Sequence, residues 1–225
     1  MTAPPHSASD LEQIYERRFA GMEDYRRSVW QVLCGEVFSK WIAPDATVLD
    51  LGSGYCEFVN QIAAGQKYAM DLNPATRFHA DVDVSVLQQD CSAEWQVAPQ
   101  TLDAVFTSNF FEHLSDKMAL ERTVLSAWRS LKPGGRIIAM GPNIRYTGDA
   151  YWDFYDHYVA LTDLSLIELF RKCGFEIEYA RAQFLPYTMA NGRRYPSWVL
   201  KTYLRLTPVW KVFGQQFLIV ANKRV

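Results

Sequence analysis

Short apolar runs alternate along this chain with stretches whose apolar residues recur every three to four positions. The runs predict strands near 46–50, 67–71, 84–88, 102–107, 135–141, 175–180 and 215–221. The helical spacing is clearest over 56–64, 115–131 and 162–173. Nearer the start, Ser9-Asp10 predicts the cap of a helix running to about Phe19, and residues 23–41 continue with helical spacing. Strands alternating with helices predict an α/β fold built on a doubly wound parallel sheet, with ligands held beyond the carboxyl ends of the strands. One later stretch, 196–213, reads as an amphipathic helix. Val199, Tyr203, Leu206, Trp210 and Phe213 share its apolar face, Lys201 and Arg205 lie opposite, and Pro208 is expected to kink or end it.

The first strand runs into a turn of unusual composition, Val-Leu-Asp-Leu-Gly-Ser-Gly-Tyr-Cys at 48–56. Asp50 stands at the strand end, and Gly52 and Gly54 let the backbone pass close under a ligand. The second strand ends in another acid, Asp71, placed to accept hydrogen bonds from both hydroxyls of a ribose. Together these predict a nucleoside cofactor. A dinucleotide is disfavoured, because Glu57 stands where a third glycine would face a pyrophosphate, and its charge would repel one.

The Asp-Leu-Gly-Ser-Gly-Tyr-Cys run resembles motif I of the class I S-adenosylmethionine-dependent methyltransferases, with Cys56 in place of the last glycine. That position usually opens the first helix, where a small residue suffices. Four further segments match in order: Tyr-Ala-Met-Asp-Leu-Asn-Pro at 68–74, Gln-Gln-Asp-Cys at 88–91, Leu-Asp-Ala-Val-Phe-Thr-Ser-Asn-Phe-Phe-Glu-His-Leu at 102–114, and Leu-Lys-Pro-Gly-Gly-Arg-Ile-Ile at 131–138. The resemblance implies a Rossmann-like three-layer αβα sandwich, its seven-stranded sheet mostly parallel with the last strand antiparallel. It implies S-adenosyl-L-methionine as cofactor, held by Asp50, Gly52, Ser53 and Gly54. Asp71 and Leu72 would meet the ribose, Asp90 and Cys91 the adenine, and Asn109 and Phe110 would line the turn after the fourth strand.

Composition narrows the remaining classes. With 225 residues, 49% of them hydrophobic, the chain can bury one sizeable core. The expected organisation is a single domain: a helical cap over 1–43, a Rossmann-like core over 44–180 and 214–225, and a basic, aromatic insertion over 181–213. The four cysteines have no paired spacing, so neither a disulfide framework nor a zinc site is expected. The polar start lacks a signal core, and no apolar run reaches the roughly twenty residues of a membrane span. The expected location is the cytoplasm. Charge is uneven: no acid follows Glu178, so the first 178 residues carry −10 and the remainder +8. A mostly acidic chain opposes nucleic-acid binding. The run Asn109-Phe-Phe-Glu112 also lacks the prolines of base-amine methyltransferases, and no Pro-Cys pair occurs for attack on cytosine.

A small-molecule acceptor is therefore expected, probed first at a hydroxyl of a sugar-containing or secondary metabolite. Such a hydroxyl must lose a proton, and an imidazole titrating near neutrality can take it. His157, in the aromatic stretch after the fifth strand, is the first candidate base, with His113 beside it. Tyr146, Tyr151 and Tyr155 are candidate pocket walls. Asp149, Asp153, Asp156 and His157 could share a helix face, but a solvated acidic rim is the commoner arrangement, so no metal is expected. Tyr15, Arg18, Tyr25, Arg26 and Arg27 could reach the methionine carboxylate. The alternatives are a lipid-linked or membrane-surface acceptor reached through 193–213, and an inactive cofactor-binding scaffold. Oligomeric state is left open.

Overall fold

The computed structural model describes residues 21–187 and 194–224. The helix predicted to Phe19, and with it Tyr15, Arg18 and Arg193, lies outside the described residues. Seven strands form one sheet: β1 (Thr47–Leu51), β2 (Gln66–Asp71), β3 (Val84–Gln88), β4 (Leu102–Ser108), β5 (Leu131–Pro142), β6 (Phe175–Arg181) and β7 (Gln216–Lys223). Their spatial order is β3-β2-β1-β4-β5-β7-β6. The first five run parallel, and β7 lies antiparallel between β5 and β6.

The helices are α1 (Glu23–Glu36), α2 (Glu57–Gln61), α3 (Thr76–His79), α4 (Lys117–Ser130), α5 (Ile144–Thr147), α6 (Asp163–Lys172), α7 (Ser197–Arg205) and α8 (Thr207–Phe213). Two long ones start where their caps say they should. The Asp116 side chain accepts the Ala119 amide at 2.8 Å to open α4, and Thr162 with Ser165 forms a reciprocal capping box on α6.

Strand alternation splits the core into two layers. Leu49, Leu51, Val105, Ile137, Ala139 and Ile219 face α4 and α6. Val48, Phe106, Ile138, Met140, Leu218 and Val220 face α1 and α2. In the second layer the Phe58 and Phe106 rings stack with centroids 3.6 Å apart, which locks α2 onto β4 directly under the glycine turn.

Four expectations change. The helical spacing of 23–41 ends as α1 at Glu36 and gives way to a 3-10 turn over Phe38–Lys40. β5 begins at Leu131, because Leu131 already pairs with Leu102 before a register shift. α2 ends at Gln61, short of residue 64, where Ile62 turns extended. The 196–213 segment is two helices, α7 and α8, broken at Leu206 just before Pro208; Leu206 and Phe213 are exposed, and from the expected apolar face only Trp210 is buried.

Candidate active site

The carboxyl ends of β1, β2, β4 and β5 converge on one edge of the sheet. At β1, Gly52 and Gly54 take φ of +70° and +50°, backbone that L side chains rarely adopt. Cys56 follows at φ +61°, also left-handed. The family's glycine there is thus more than a small residue: the position asks for left-handed backbone, and Cys56 meets it with strain of about 1 kcal/mol. Its thiol is buried, and burial pushes its pKa up; burial likewise pushes the Cys91 thiol up to about 12. All four cysteines are free and buried, which leaves them inert as nucleophiles.

Asp71 ties the turn together. Its carboxylate accepts the Gly54 amide at 2.7 Å and the Asn73 amide at 2.8 Å. A carboxylate offers about four acceptor sites, so capacity remains for a ribose hydroxyl. Burial raises its pKa, while the Asn73, Gly54 and Leu72 amides and the nearby His113 pull the other way. Asp50 is buried at the end of β1, its pKa raised well above the ordinary range by burial and by Glu57 nearby. Glu57 itself pairs with Arg26 of α1, which draws that helix over the turn and offsets the acid's charge.

The other cofactor candidates fall along the same edge. Ser53 Oγ, Asn73 Nδ2, Thr107 Oγ1 and Asn109 Oδ1 are buried without a hydrogen-bond partner among the described residues. Four unmet polar atoms at the ends of β1, β2 and β4 fit a ligand rich in hydroxyls and amines. Asn109 takes φ +48°, and the Phe110 ring packs directly on Gly52. Leu72 follows Asp71 at the end of β2. The Asp90 carboxylate accepts the Ser92 amide at 2.8 Å, while the Cys91 side chain turns into the core against Thr123.

After β4, the segment Phe111–His113 meets the loop at 154–159. Both the Tyr158 and Val159 amides donate to the Glu112 carbonyl, at 2.8 and 3.1 Å. His113 Nδ1 lies 2.8 Å from the Asp156 carbonyl oxygen. This clip brings His113 and His157 edge to face, with ring centroids 4.9 Å apart. Burial opposes charging His113, but Asp156 and Glu112 outweigh it and hold its pKa above that of a free imidazole.

The aromatic candidates separate. Tyr151 is fully buried, and its hydroxyl donates to the Val159 carbonyl and accepts the Leu161 amide at 3.2 Å, so it braces the loop instead of presenting its hydroxyl as a pocket wall. Tyr155 is 92% exposed, so it walls no enclosed pocket. Tyr146 is half-buried, with the Arg145 guanidinium over its ring. Asp149 and Asp153 are exposed, so the acidic face weighed in the sequence does not assemble. The acid that joins the imidazoles is Glu112, buried at 1% exposure, which the sequence reading passed over. Its signal was adjacency to His113 in the strand-following turn.

A seven-stranded sheet of this order, with a glycine turn after β1 and an acid at the end of β2, defines a Rossmann-like fold. Residues 22–180 match a family model described as a methyltransferase domain, and the chain belongs to that family. It is a class I methyltransferase, and its cofactor is S-adenosylmethionine. No curated protein matches it in sequence. Among solved structures, it is similar to a Haloferax volcanii protein described as a methyltransferase, in complex with the Trm112 activator (17% identity, 97% of each chain, TM-score 0.66). It is also similar to a Thermotoga maritima S-adenosylmethionine-dependent methyltransferase described as a possible histamine N-methyltransferase (19% identity, 95% of this chain and 96% of that one, TM-score 0.66). An Archaeoglobus fulgidus methyltransferase is alike in fold (19% identity, 94% and 99%, TM-score 0.65).

Proposed function

We propose that the chain methylates a hydroxyl of a small molecule, a sugar-containing or secondary metabolite. Bound S-adenosylmethionine supplies a sulfonium methyl for in-line displacement, so the protein's share is positioning and removal of the acceptor's proton. Asp71 and the Gly52–Gly54 turn orient the cofactor, with Ser53, Asn109 and Phe110 alongside. The observation that carries the hydroxyl reading is the junction of Glu112, His113 and His157 in one cluster. It lies close enough to the cofactor edge for His113 to act on Asp71. An amine or a thioether can attack the methyl while neutral; a hydroxyl is a weak nucleophile until its proton is drawn off, and the imidazole cluster can take that proton.

The test screens hydroxylated acceptors with radiolabelled cofactor, on the wild type and His157→Ala. Transfer to oxygen, lost in the variant while cofactor affinity holds, supports the reading. Transfer that is unchanged in the variant, or goes only to nitrogen or sulfur, counts against it.

A second reading puts the same transfer at a membrane surface. Trp198, Val212 and Phe213 are 68%, 73% and 58% exposed on α7 and α8, beside Arg205 and Lys211. No described helix is long and apolar enough to cross a membrane, so contact would be peripheral. Sedimentation with anionic but not neutral vesicles, weakened by replacing Arg205 and Lys211 with Gln, supports it; no sedimentation with either removes it.

A further inference from the structure

We propose that Glu112, His113 and His157 form a divalent-cation site. One ligand atom from each lies within 4.8 Å of the other two. His113 Nε2 stands 4.0 Å from Glu112 Oε1, too far for a hydrogen bond between them yet close for two ligands of one ion. Metal bonds of about 2.1 Å put neighbouring tetrahedral ligands roughly 3.4 Å apart, so closing on an ion takes side-chain shifts on the order of 1 Å.

The surroundings hold the three side chains as ligands are held. His113 Nδ1 faces two acceptors, the Asp156 carbonyl oxygen at 2.8 Å and its carboxylate at 3.2 Å. Nδ1 therefore carries the proton, and Nε2 is the nitrogen turned toward Glu112, the arrangement that an outer carboxylate imposes on a ligating histidine. The His157 ring is fixed by stacking on Phe154 at 5.1 Å and by the edge contact with Tyr151 at 4.8 Å. Two backbone amides, from Tyr158 and Val159, clamp Glu112 to the same loop. Glu112 and His157 are 1% and 6% exposed, so two of the three side chains stand apart from bulk water.

Two imidazoles and one carboxylate suit Zn(II), Mn(II), Fe(II) or Co(II) better than Mg(II) or Ca(II). Three protein ligands leave coordination positions open, and an oxygen placed there loses its proton more readily. The ion's role in activating the acceptor rests on the hydroxyl reading above, whereas its binding does not. With an ion present, His113 and His157 are ligands, coordination replaces His157 in weakening the acceptor's O–H bond, and the released proton passes to solvent water.

Chelator-stripped protein is titrated with Mn(II) and Co(II) by calorimetry, and the Mn(II) form is examined by pulsed electron paramagnetic resonance. The expected result is one ion per chain, nitrogen couplings from two imidazoles, and affinity reduced at least ~10-fold in Glu112→Gln and in His157→Ala. His79→Ala, whose ring stacks on Tyr55, leaves affinity unchanged. No saturable binding, no imidazole coupling in the wild type, or equal affinity in both variants overturns the site. The wild-type spectrum decides even where a variant fails to fold. S-adenosylmethionine affinity of the stripped wild type is measured alongside: retained cofactor binding without metal binding sinks this inference alone.

Discussion

Gly52 and Phe110 are packed so closely that a Cβ on the glycine would fall 2.2 Å from the aromatic ring. The contact joins the turn after β1 to the turn after β4, and it explains a glycine at 52 on steric grounds beside its φ of +70°. Gly52→Ala is expected to destabilise the fold by about 2–4 kcal/mol, from left-handed backbone strain and overpacking together. Phe110→Ala in the same chain relieves the overlap but not the strain. A double-mutant cycle by urea denaturation should therefore show coupling of about 1 kcal/mol or more. Strict additivity would mean that the ring is not held against the turn.

Asp50 gives the protein a pH dependence of definite sign. Burial, with Glu57 and Asp71 close by, raises its pKa in the folded chain, whereas in the unfolded chain it titrates near ~3.9. Above that value the folded state holds a proton that the unfolded state has released, so this group makes stability fall as pH rises toward the raised pKa. Asp50→Asn stays neutral and removes that slope. Relative to wild type, the variant should gain stability at about pH 7.5, with the gain shrinking toward about pH 4. Urea melts at the two pH values check this; a difference independent of pH contradicts it.

Arg26 and Glu57 are 10% and 17% exposed at the side chain, a largely buried ion pair. Removing the cation leaves Glu57 facing Asp50 without it, so Arg26→Met should cost about 3–5 kcal/mol. Glu57→Gln should cost less, because the amide still accepts a hydrogen bond and its charge no longer opposes Asp50. Thermal melts rank the two variants, and the reverse order would show that Arg26 serves the fold through other contacts.

The features legible in the sequence were those set by local backbone demands. Gly52, Gly54 and Asp71 announce their turn because few residues tolerate left-handed backbone, and because an acid at a strand end has few other uses. The helices near 115–131 and 162–173 were legible from their apolar period, and in the structure Asp116 and Thr162 cap them. What escaped depends on contacts between distant segments. Glu112 reads as an ordinary acid in a turn until the 154–159 loop folds onto it and sets His157 alongside. Tyr151 and Tyr155 look equivalent in sequence, yet the short helical turn Gly148–Asp153 buries one and the chain beyond it exposes the other. Pro208 hinted at the break between α7 and α8, but the exposure of Leu206 and Phe213 follows from that break and not from the helical period of 196–213.

The central claim is that the β1 turn and Asp71 bind S-adenosylmethionine. Calorimetric titration of the cofactor into wild type and Asp71→Asn tests it most directly. Hydrogen bonds to a charged acceptor contribute roughly 1.5–3 kcal/mol each, so the variant should bind at least ~10-fold more weakly while its melting curve shows an intact fold. No binding to the folded wild type, or equal affinity in the two proteins, would contradict the account.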